Sequence, residues 1–140
     1  MVRNPYAVCE GICRNLRRSG LARRRDLPTA AARHVVNCFA RQRRNIETHG
    51  ERGVFFTCEA MCEEPERAEA QIRALVPERD DLRLRQRLLV KGRYHEMLTN
   101  MNDRQIARLD AAQMAAFHRV FRERRDLFDH FGYELREPGR

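Results

Sequence analysis

Apolar residues recur every three to four positions along most of this chain, which is the spacing of the buried face of an α-helix. The first such stretch begins at Asn4 and Pro5, an N-cap followed by a first-turn proline, and Ser19-Gly20 ends it. A second helix is predicted to open within residues 26–29 and to end before residues 48–50. The amino-terminal third is therefore predicted to form two helices.

The rest of the chain has the same helical spacing. A third segment begins near residue 52, and Pro65 is expected to break or kink it because proline removes a backbone donor and clashes with the preceding turn. Helix is predicted to resume over residues 66–76, and a fourth helix to run from residue 80 or 81 to residue 101. Asn102 with Gln105 resembles the capping box of a long final helix that ends at Gly132.

Propensity and pattern together indicate an all-α protein. Arg, Glu, Ala and Leu dominate while β-branched residues are few, and no alternating strand pattern competes. The expected architecture is a three-helix bundle with a C-terminal two-helix extension. We expect residues 1–78 to form a basic helical bundle, residues 79–135 a helical hairpin packed on it or on a partner, and residues 136–140 a tail.

Composition places the chain among globular proteins rather than membrane or disordered ones. Its 140 residues suit one compact domain, and 42% of them are hydrophobic while 34% are charged. The longest apolar runs have four residues or fewer. Because a bilayer-spanning helix needs about 20 such residues, no transmembrane segment is expected.

Positive charge is concentrated in the amino-terminal third. The net charge is +8, and residues 1–46 hold eleven arginines against only Glu10 and Asp26. Guanidinium groups grip phosphates and carboxylates in a bidentate manner. This region is therefore predicted to attract an acidic partner, whether nucleic acid, an anionic membrane surface or an acidic protein.

Four of the five cysteines form two pairs with a spacing of four residues, Cys9 with Cys13 and Cys58 with Cys62. On a helix this spacing puts both thiols of a pair on one face. Three interpretations stay open: two disulfides between facing helices, a four-thiolate zinc site, or buried cysteines that act as small hydrophobic residues. Cys38 is left over in each of them.

No pattern of catalytic residues stands out. The five histidines are scattered without metal-binding spacing. No nucleophile elbow, phosphate-binding loop or catalytic constellation of paired carboxylates is visible in the sequence. We therefore expect a protein that is not an enzyme and that binds no metal or cofactor directly.

Two arginine-containing motifs lie on the first two predicted helices. Ile12-Cys13-Arg14 is followed by a leucine and two further arginines, while Arg33 precedes Phe39-Ala40-Arg41. With Asn45 and Thr48, these motifs resemble the LYR family, small three-helix mitochondrial proteins that include accessory subunits and assembly factors of respiratory complexes. The first motif takes the place of the family's Leu-Tyr-Arg tripeptide, and the resemblance covers about residues 5–62.

A second register of this resemblance stays open. Residues 88–93 are similar to a third-helix segment of some complex I members of the family. In that register the first helix would be an extra one, and Phe39-Ala40-Arg41 would take the place of the tripeptide.

The resemblance implies binding of mitochondrial acyl carrier protein, an acidic helical protein whose phosphopantetheine arm bears a fatty acyl chain. In the family, arginines meet the carrier's acidic helix and phosphate while the acyl chain threads between the helices. The implied partner-binding residues are Arg14, Arg17, Arg18, Arg33, Arg41, Arg43 and Arg44. The implied lining of the acyl channel is Ile12, Val35, Phe39 and Phe55.

The function that the resemblance implies is that of a non-catalytic accessory subunit or assembly factor of a mitochondrial respiratory complex. Its partners would be acyl carrier protein and the subunits of that complex, and any acyl-phosphopantetheine would belong to the carrier. The expected location is the matrix side of the mitochondrion, peripheral to the inner membrane.

A basic helical RNA-binding protein, of the kind found in mitochondrial ribosomes, is the alternative. Its phosphate contacts would come from Arg23, Arg24, Arg25, Arg41, Arg43 and Arg44. Against it, no RNA-recognition motif is present, and the aromatic residues follow apolar stripes rather than alternating with arginines.

Overall fold

The computed structural model describes residues 1–20, 26–90 and 94–136 of the chain. The fold is predominantly helical, so the predicted all-α class is confirmed, with one short two-stranded hairpin among the helices. The helices of the described residues are α1 (Pro5–Arg18), α2 (Leu27–His49), α3 (Cys58–Glu63), α4 (Pro65–Leu75), α5 (Asn102–Ile106), α6 (Ala111–Arg122) and α7 (Arg125–His130). The strands are β1 (Arg87–Val90) and β2 (Tyr94–Met97). Within the same residues, no helix is both long and apolar enough to cross a membrane.

The chain divides into two compact units. The bundle unit contains Arg3–Asn45 and Met101–Arg140, and the hairpin unit contains Met1–Val2 and Ile46–Asn100. This division differs from the predicted one at residue 78, because the C-terminal helices join α1 in one unit.

Helix α1 begins and ends where its sequence predicts. The Asn4 side-chain oxygen accepts the N–H groups of Tyr6 at 3.1 Å and Ala7 at 3.3 Å, two donors that have no partner within the first turn. Pro5 occupies the first helical position, where its missing N–H costs nothing. Gly20 follows the helix with a φ of 70°, a left-handed conformation that favours glycine.

An aromatic cluster forms the core of the bundle unit. Phe39 of α2 packs on Phe128 at 5.0 Å and on Phe131 at 5.3 Å between ring centroids. Tyr6 of α1 meets Phe121 of α6 edge-on at 5.2 Å. The Tyr6 hydroxyl also accepts the backbone N–H of Arg136 at 3.1 Å, which ties the end of the described chain to α1.

The predicted long final helix is replaced by three shorter ones. Helix α6 begins at a capping box, in which the Asp110 side chain accepts the Gln113 N–H at 2.7 Å and the Gln113 side chain accepts the Asp110 N–H at 3.1 Å. The capping box predicted at Asn102 and Gln105 is wrong, since Met101 is the N-cap of α5 and makes no side-chain cap hydrogen bond. Of the two candidate capping boxes, only the later one forms its side-chain hydrogen bonds.

In the hairpin unit, Pro65 separates α3 from α4 as expected. The Thr57 hydroxyl caps α3 by accepting the Ala60 N–H at 3.0 Å. Val2 forms a parallel bridge with Thr57, and its carbonyl accepts the Cys58 N–H at 2.8 Å. The amino terminus is therefore held against the start of α3.

The fourth helix predicted across residues 80–101 is wrong, because this segment contains the β-hairpin. The two strands are antiparallel, with Arg87 opposite Met97 and Val90 opposite Tyr94. Three residues including Gly92 separate the strands in sequence, and glycine disfavours a helix interior by about 1 kcal/mol. The predicted helical hairpin over residues 79–135 therefore has no continuous first helix.

A buried carboxylate fixes the loop that leads into β1. Glu69 of α4 accepts the backbone N–H of Leu84 at 2.6 Å and pairs with Arg73 at 2.7 Å. Arg73 also donates to the carbonyl of Leu82 at 2.8 Å. The Leu84 N–H, followed by the Arg73 charge, lowers the pKa of Glu69 below its ordinary value.

Candidate functional site

A cleft of about 250 Å³ lies in the bundle unit between α1 and the start of α6. We call it the basic cleft, and it is lined by Glu10, Cys13, Arg14, Arg17, Arg18, Arg108, Leu109 and Gln113. Four of these side chains are guanidinium cations and one is a carboxylate. The helical period places Glu10, Arg14 and Arg17 on one face of α1, and the turn before α6 brings in Arg108.

Glu10 is a buried acid that two arginines share. Only 5% of Glu10 is exposed, and its oxygens accept from Nε of Arg14 at 3.0 and 3.3 Å. Nη1 of Arg108 lies 3.9 Å from the same carboxylate. Buried charges need such partners, and the hydrogen bonds of this carboxylate fix the guanidinium group of Arg14, while Arg108 contributes a longer ion pair.

A chain of polar side chains from α5 supports Glu10. Nε2 of Gln105 donates to Oε2 of Glu10 at 3.3 Å, while Oε1 of Gln105 accepts from Nη2 of Arg3. Nε of Arg3 also donates to Oδ1 of Asn102 at 2.8 Å. Gln105 and Asn102 are both buried, so this network joins α1 to α5 without leaving their amides unsatisfied.

The basic cleft keeps an excess of positive charge. Arg17 and Arg18 are exposed, and their side chains form no hydrogen bond or ion pair with any residue that the structure describes. Some of this charge stabilises the negative end of the α1 dipole, since both residues lie in its last turn. The four arginines still outnumber the one carboxylate, so the cleft attracts anions.

A second cleft of about 470 Å³ adjoins the first. It shares Arg17 and Gln113 with the basic cleft and extends along the starts of α2 and α6. Arg119 lines it and donates to the Thr29 hydroxyl at 3.4 Å. Its lining also includes two acids, Asp26 and Asp110, so its charge is more balanced than that of the basic cleft.

The structure brings together three of the seven predicted partner-binding arginines. Arg14, Arg17 and Arg18 line the basic cleft, whereas the remaining four lie along α2. Of these, three are exposed and one, Arg43, pairs with Asp126 at 3.4 Å. Those exposed residues are Arg33, Arg41 and Arg44.

Arg108 is the cleft residue that the sequence did not reveal. It lies 94 positions after Arg14, and only the packing of α1 on α5 and α6 brings the two together. The sequence did contain a signal for the pairing of Glu10 with Arg14. Glu10 is one of only two acids among the first 46 residues, and it stands four positions before Arg14.

The four residues predicted to line an acyl channel differ in burial and in the unit to which they belong. Val35 and Phe39 are core side chains with 1% and 3% of their surface exposed, and aromatic rings pack on Phe39. Ile12 is half-buried on α1. Phe55 belongs to the hairpin unit, where it lines a groove of about 230 Å³ against α4. Val35 and Phe39 therefore belong to the core of the bundle unit, and their role in an acyl channel stays a prediction.

The two cysteine pairs lie in different units. Cys9 and Cys13 are buried in the bundle unit, while Cys58 and Cys62 are half-buried in the hairpin unit. Burial raises the pKa of the Cys9 thiol. Burial also raises the pKa of the Cys13 thiol, although the positive charge of Arg17 acts to lower it. Both buried thiols thus behave as small apolar groups.

Metal-ligating side chains do not cluster in the described ranges. No group of three or more His, Cys, Asp or Glu side chains there could hold a metal ion. The exposed Cys38 thiol contacts Nε2 of His34 at 3.5 Å on α2. Of the predicted RNA contacts, Arg23, Arg24 and Arg25 lie outside the described residues.

Comparison of this chain with protein-family models, with curated proteins and with solved structures gave no match.

Proposed function

We propose that this chain is a non-catalytic binding protein that holds an acidic partner protein at its basic cleft. The partner is an acyl carrier protein, and the setting is a mitochondrial respiratory complex in which the chain is an accessory subunit or assembly factor. The LYR resemblance of α1 and α2 is the source of this partner and setting. The matrix side of the inner membrane is the corresponding location.

The observation that carries the proposal is a single cleft lined by four arginines, two of which pair with its one buried acid. Arg17 and Arg18 have no ionic partner among the described residues, so they are available to a ligand without breaking an internal pair. Charge-assisted hydrogen bonds from a guanidinium to a phosphate or carboxylate contribute roughly 1.5–3 kcal/mol each. Two such bonds change a dissociation constant by about two orders of magnitude or more.

The adjoining cleft supports the idea that the partner carries a small-molecule arm. Its volume of about 470 Å³ lies within the range of about 300–1,000 Å³ that is typical of small-molecule sites. Because it shares Arg17 with the basic cleft, an arm whose phosphate binds the arginines can continue into it. This route is an alternative to the channel that was predicted beside Phe39.

A native mass spectrum of the chain mixed with phosphopantetheinylated acyl carrier protein tests the proposal. We expect a one-to-one complex with the wild-type chain, and at least about a tenfold loss of affinity in the R17E/R18E double variant. The R52E/R122E variant is the matched control. It reverses two arginines that are also exposed and likewise lack ionic partners among the described residues.

A third variant tests the α2 arginines. If R41E/R44E weakens the complex as strongly as R17E/R18E, the carrier contacts α2 as the sequence predicted. Two results contradict the proposal: no complex with the carrier at all, or equal losses in the cleft variant and the control. Retention of the chain on single-stranded RNA in place of the carrier would favour the nucleic-acid alternative.

A further inference from the structure

The basic cleft contains an acid where a purely electrostatic anion site would have none. Glu10 is 5% exposed and lies among four arginines. We propose that Glu10 is a positioning residue, which orients Arg14 so that the cleft selects a phosphate group over a carboxylate. This inference rests on the proposed function in one respect, that the phosphate bound in the cell belongs to the arm of a carrier protein.

The hydrogen bonds of Arg14 set the orientation of its guanidinium group. Its Nε atom donates to both oxygens of Glu10, at 3.0 and 3.3 Å. Its two Nη atoms make no hydrogen bond with the described residues. Since a guanidinium group is planar and rigid, fixing Nε also fixes the direction in which the Nη donors point.

The carboxylate of Glu10 is itself held by a hydrogen bond from the side chain of Gln105. Gln105 uses its oxygen to accept from Arg3, so its amide nitrogen is the atom that faces Glu10, at 3.3 Å. Gln105 is 7% exposed. The orientation of Arg14 therefore depends on a buried network and not on a mobile surface pair.

The arrangement suits a phosphate better than a carboxylate. Arg14, Arg17 and Arg18 reach the cleft from α1, while Arg108 reaches it from the turn before α6. The phosphate of a carrier's arm is a tetrahedral phosphodiester, whose two free oxygens share one charge and lie apart from its two ester oxygens, so it can accept from donors on several sides. A carboxylate presents its two oxygens in one plane, so it uses fewer of these donors.

Anion titrations of the ¹⁵N-labelled full chain, followed by the Nε–H resonances of its arginines, test the proposal. Dimethyl phosphate and acetate, which both carry a single negative charge, are the two probes, used at constant ionic strength. We expect the wild-type chain to bind phosphate at least about tenfold more tightly than acetate, the amount expected from one or two additional charge-assisted bonds.

The E10Q variant separates positioning from charge. Glutamine has nearly the same shape, but its amide nitrogen would face either Nε–H of Arg14 or Nε2–H of Gln105, both of which are donors. If Glu10 positions Arg14, the E10Q variant should bind phosphate less tightly, and its preference for phosphate over acetate should drop to about threefold or less. Charge alone predicts the opposite, because removing a negative charge would tighten the binding of both anions.

Two further variants control for stability and net charge. E123Q removes one exposed acid of the bundle unit and should leave the phosphate preference unchanged. R14K keeps the charge but loses the planar fork, so it should lower the preference even if E10Q does not fold. The proposal is overturned if the wild type shows no preference for phosphate, or if E10Q and R14K both retain it. These outcomes do not depend on carrier binding, so they are distinguishable from a failure of the proposed function.

Discussion

Single buried acids organise the polar contacts of both units. Glu10 joins α1 to α5 and orients Arg14 in the bundle unit. Glu69 holds the loop before β1 in the hairpin unit. Each carboxylate has an arginine four positions later on its own helix, a spacing that brings the two side chains together. The two acids differ in their second partner, which is a side-chain amide for Glu10 and a backbone N–H for Glu69.

The lowered pKa of Glu69 predicts a pH-dependent stability. Because the folded pKa lies below the ordinary value of 4.5, this group stabilises the fold above about pH 4.5, and the contribution disappears as the pH falls through the folded pKa. The E69Q variant should therefore be less stable than the wild type at pH 7, and the two should converge in acid. Thermal melts between about pH 3 and 7 measure this difference. The E78Q variant changes an exposed glutamate, so its melting temperature should follow that of the wild type across this pH range.

At the scale of elements, local signals predicted the first half of the fold well. Asn4, Pro5 and Gly20 gave both ends of α1, and Pro65 gave the break between α3 and α4. These signals act through the backbone of a few neighbouring residues, so the sequence alone contains them. For the same reason the sequence placed Arg14, Arg17 and Arg18 together on α1, where they line one cleft, and their role in partner binding stays a prediction.

The prediction for the second half of the fold was wrong where the sequence contains two possible capping boxes. Residues 102–105 and residues 110–113 both match a capping box, and only the second is formed. The apolar stripe continues across both, so periodicity did not separate one long helix from three short ones. The β-hairpin was missed because leucines at residues 88 and 89 fit a helix as well as a strand, and only pairing with residues 94–97 decides between them. Arg108 was missed because tertiary packing alone brings it to Glu10.

The capping box of α6 gives a test at this scale. Replacing Asp110 with Ala removes the acceptor of the Gln113 N–H and should destabilise the protein by about 1 kcal/mol. Replacing it with Asn keeps a side-chain oxygen at the N-cap, so D110N should remain within a few tenths of a kcal/mol of the wild type. Urea unfolding followed by circular dichroism measures both. Equal stabilities for D110A and the wild type would mean that the capping box contributes nothing.

For the molecule as a whole, the question is whether its charge acts diffusely or at one place. A net charge of +8 attracts any polyanion, and eleven arginines within residues 1–46 strengthen this attraction. Diffuse attraction depends on total charge and is screened by salt over about 8–10 Å at physiological ionic strength. Binding at the basic cleft depends in addition on where two particular arginines lie.

Two variants with the same net charge separate these cases. R17A/R18A and R52A/R122A each remove two exposed arginines that form no ion pair with the described residues, so diffuse attraction falls equally in both. We expect the cleft variant alone to lose at least about tenfold in affinity for the carrier protein, and this loss to persist at about 0.15 M salt. For single-stranded RNA, log affinity should fall steeply with log salt and to the same extent in both variants, since phosphates then bind wherever positive charge is available. If carrier affinity instead follows net charge alone, the clustering of guanidinium groups around Glu10 has no part in recognition.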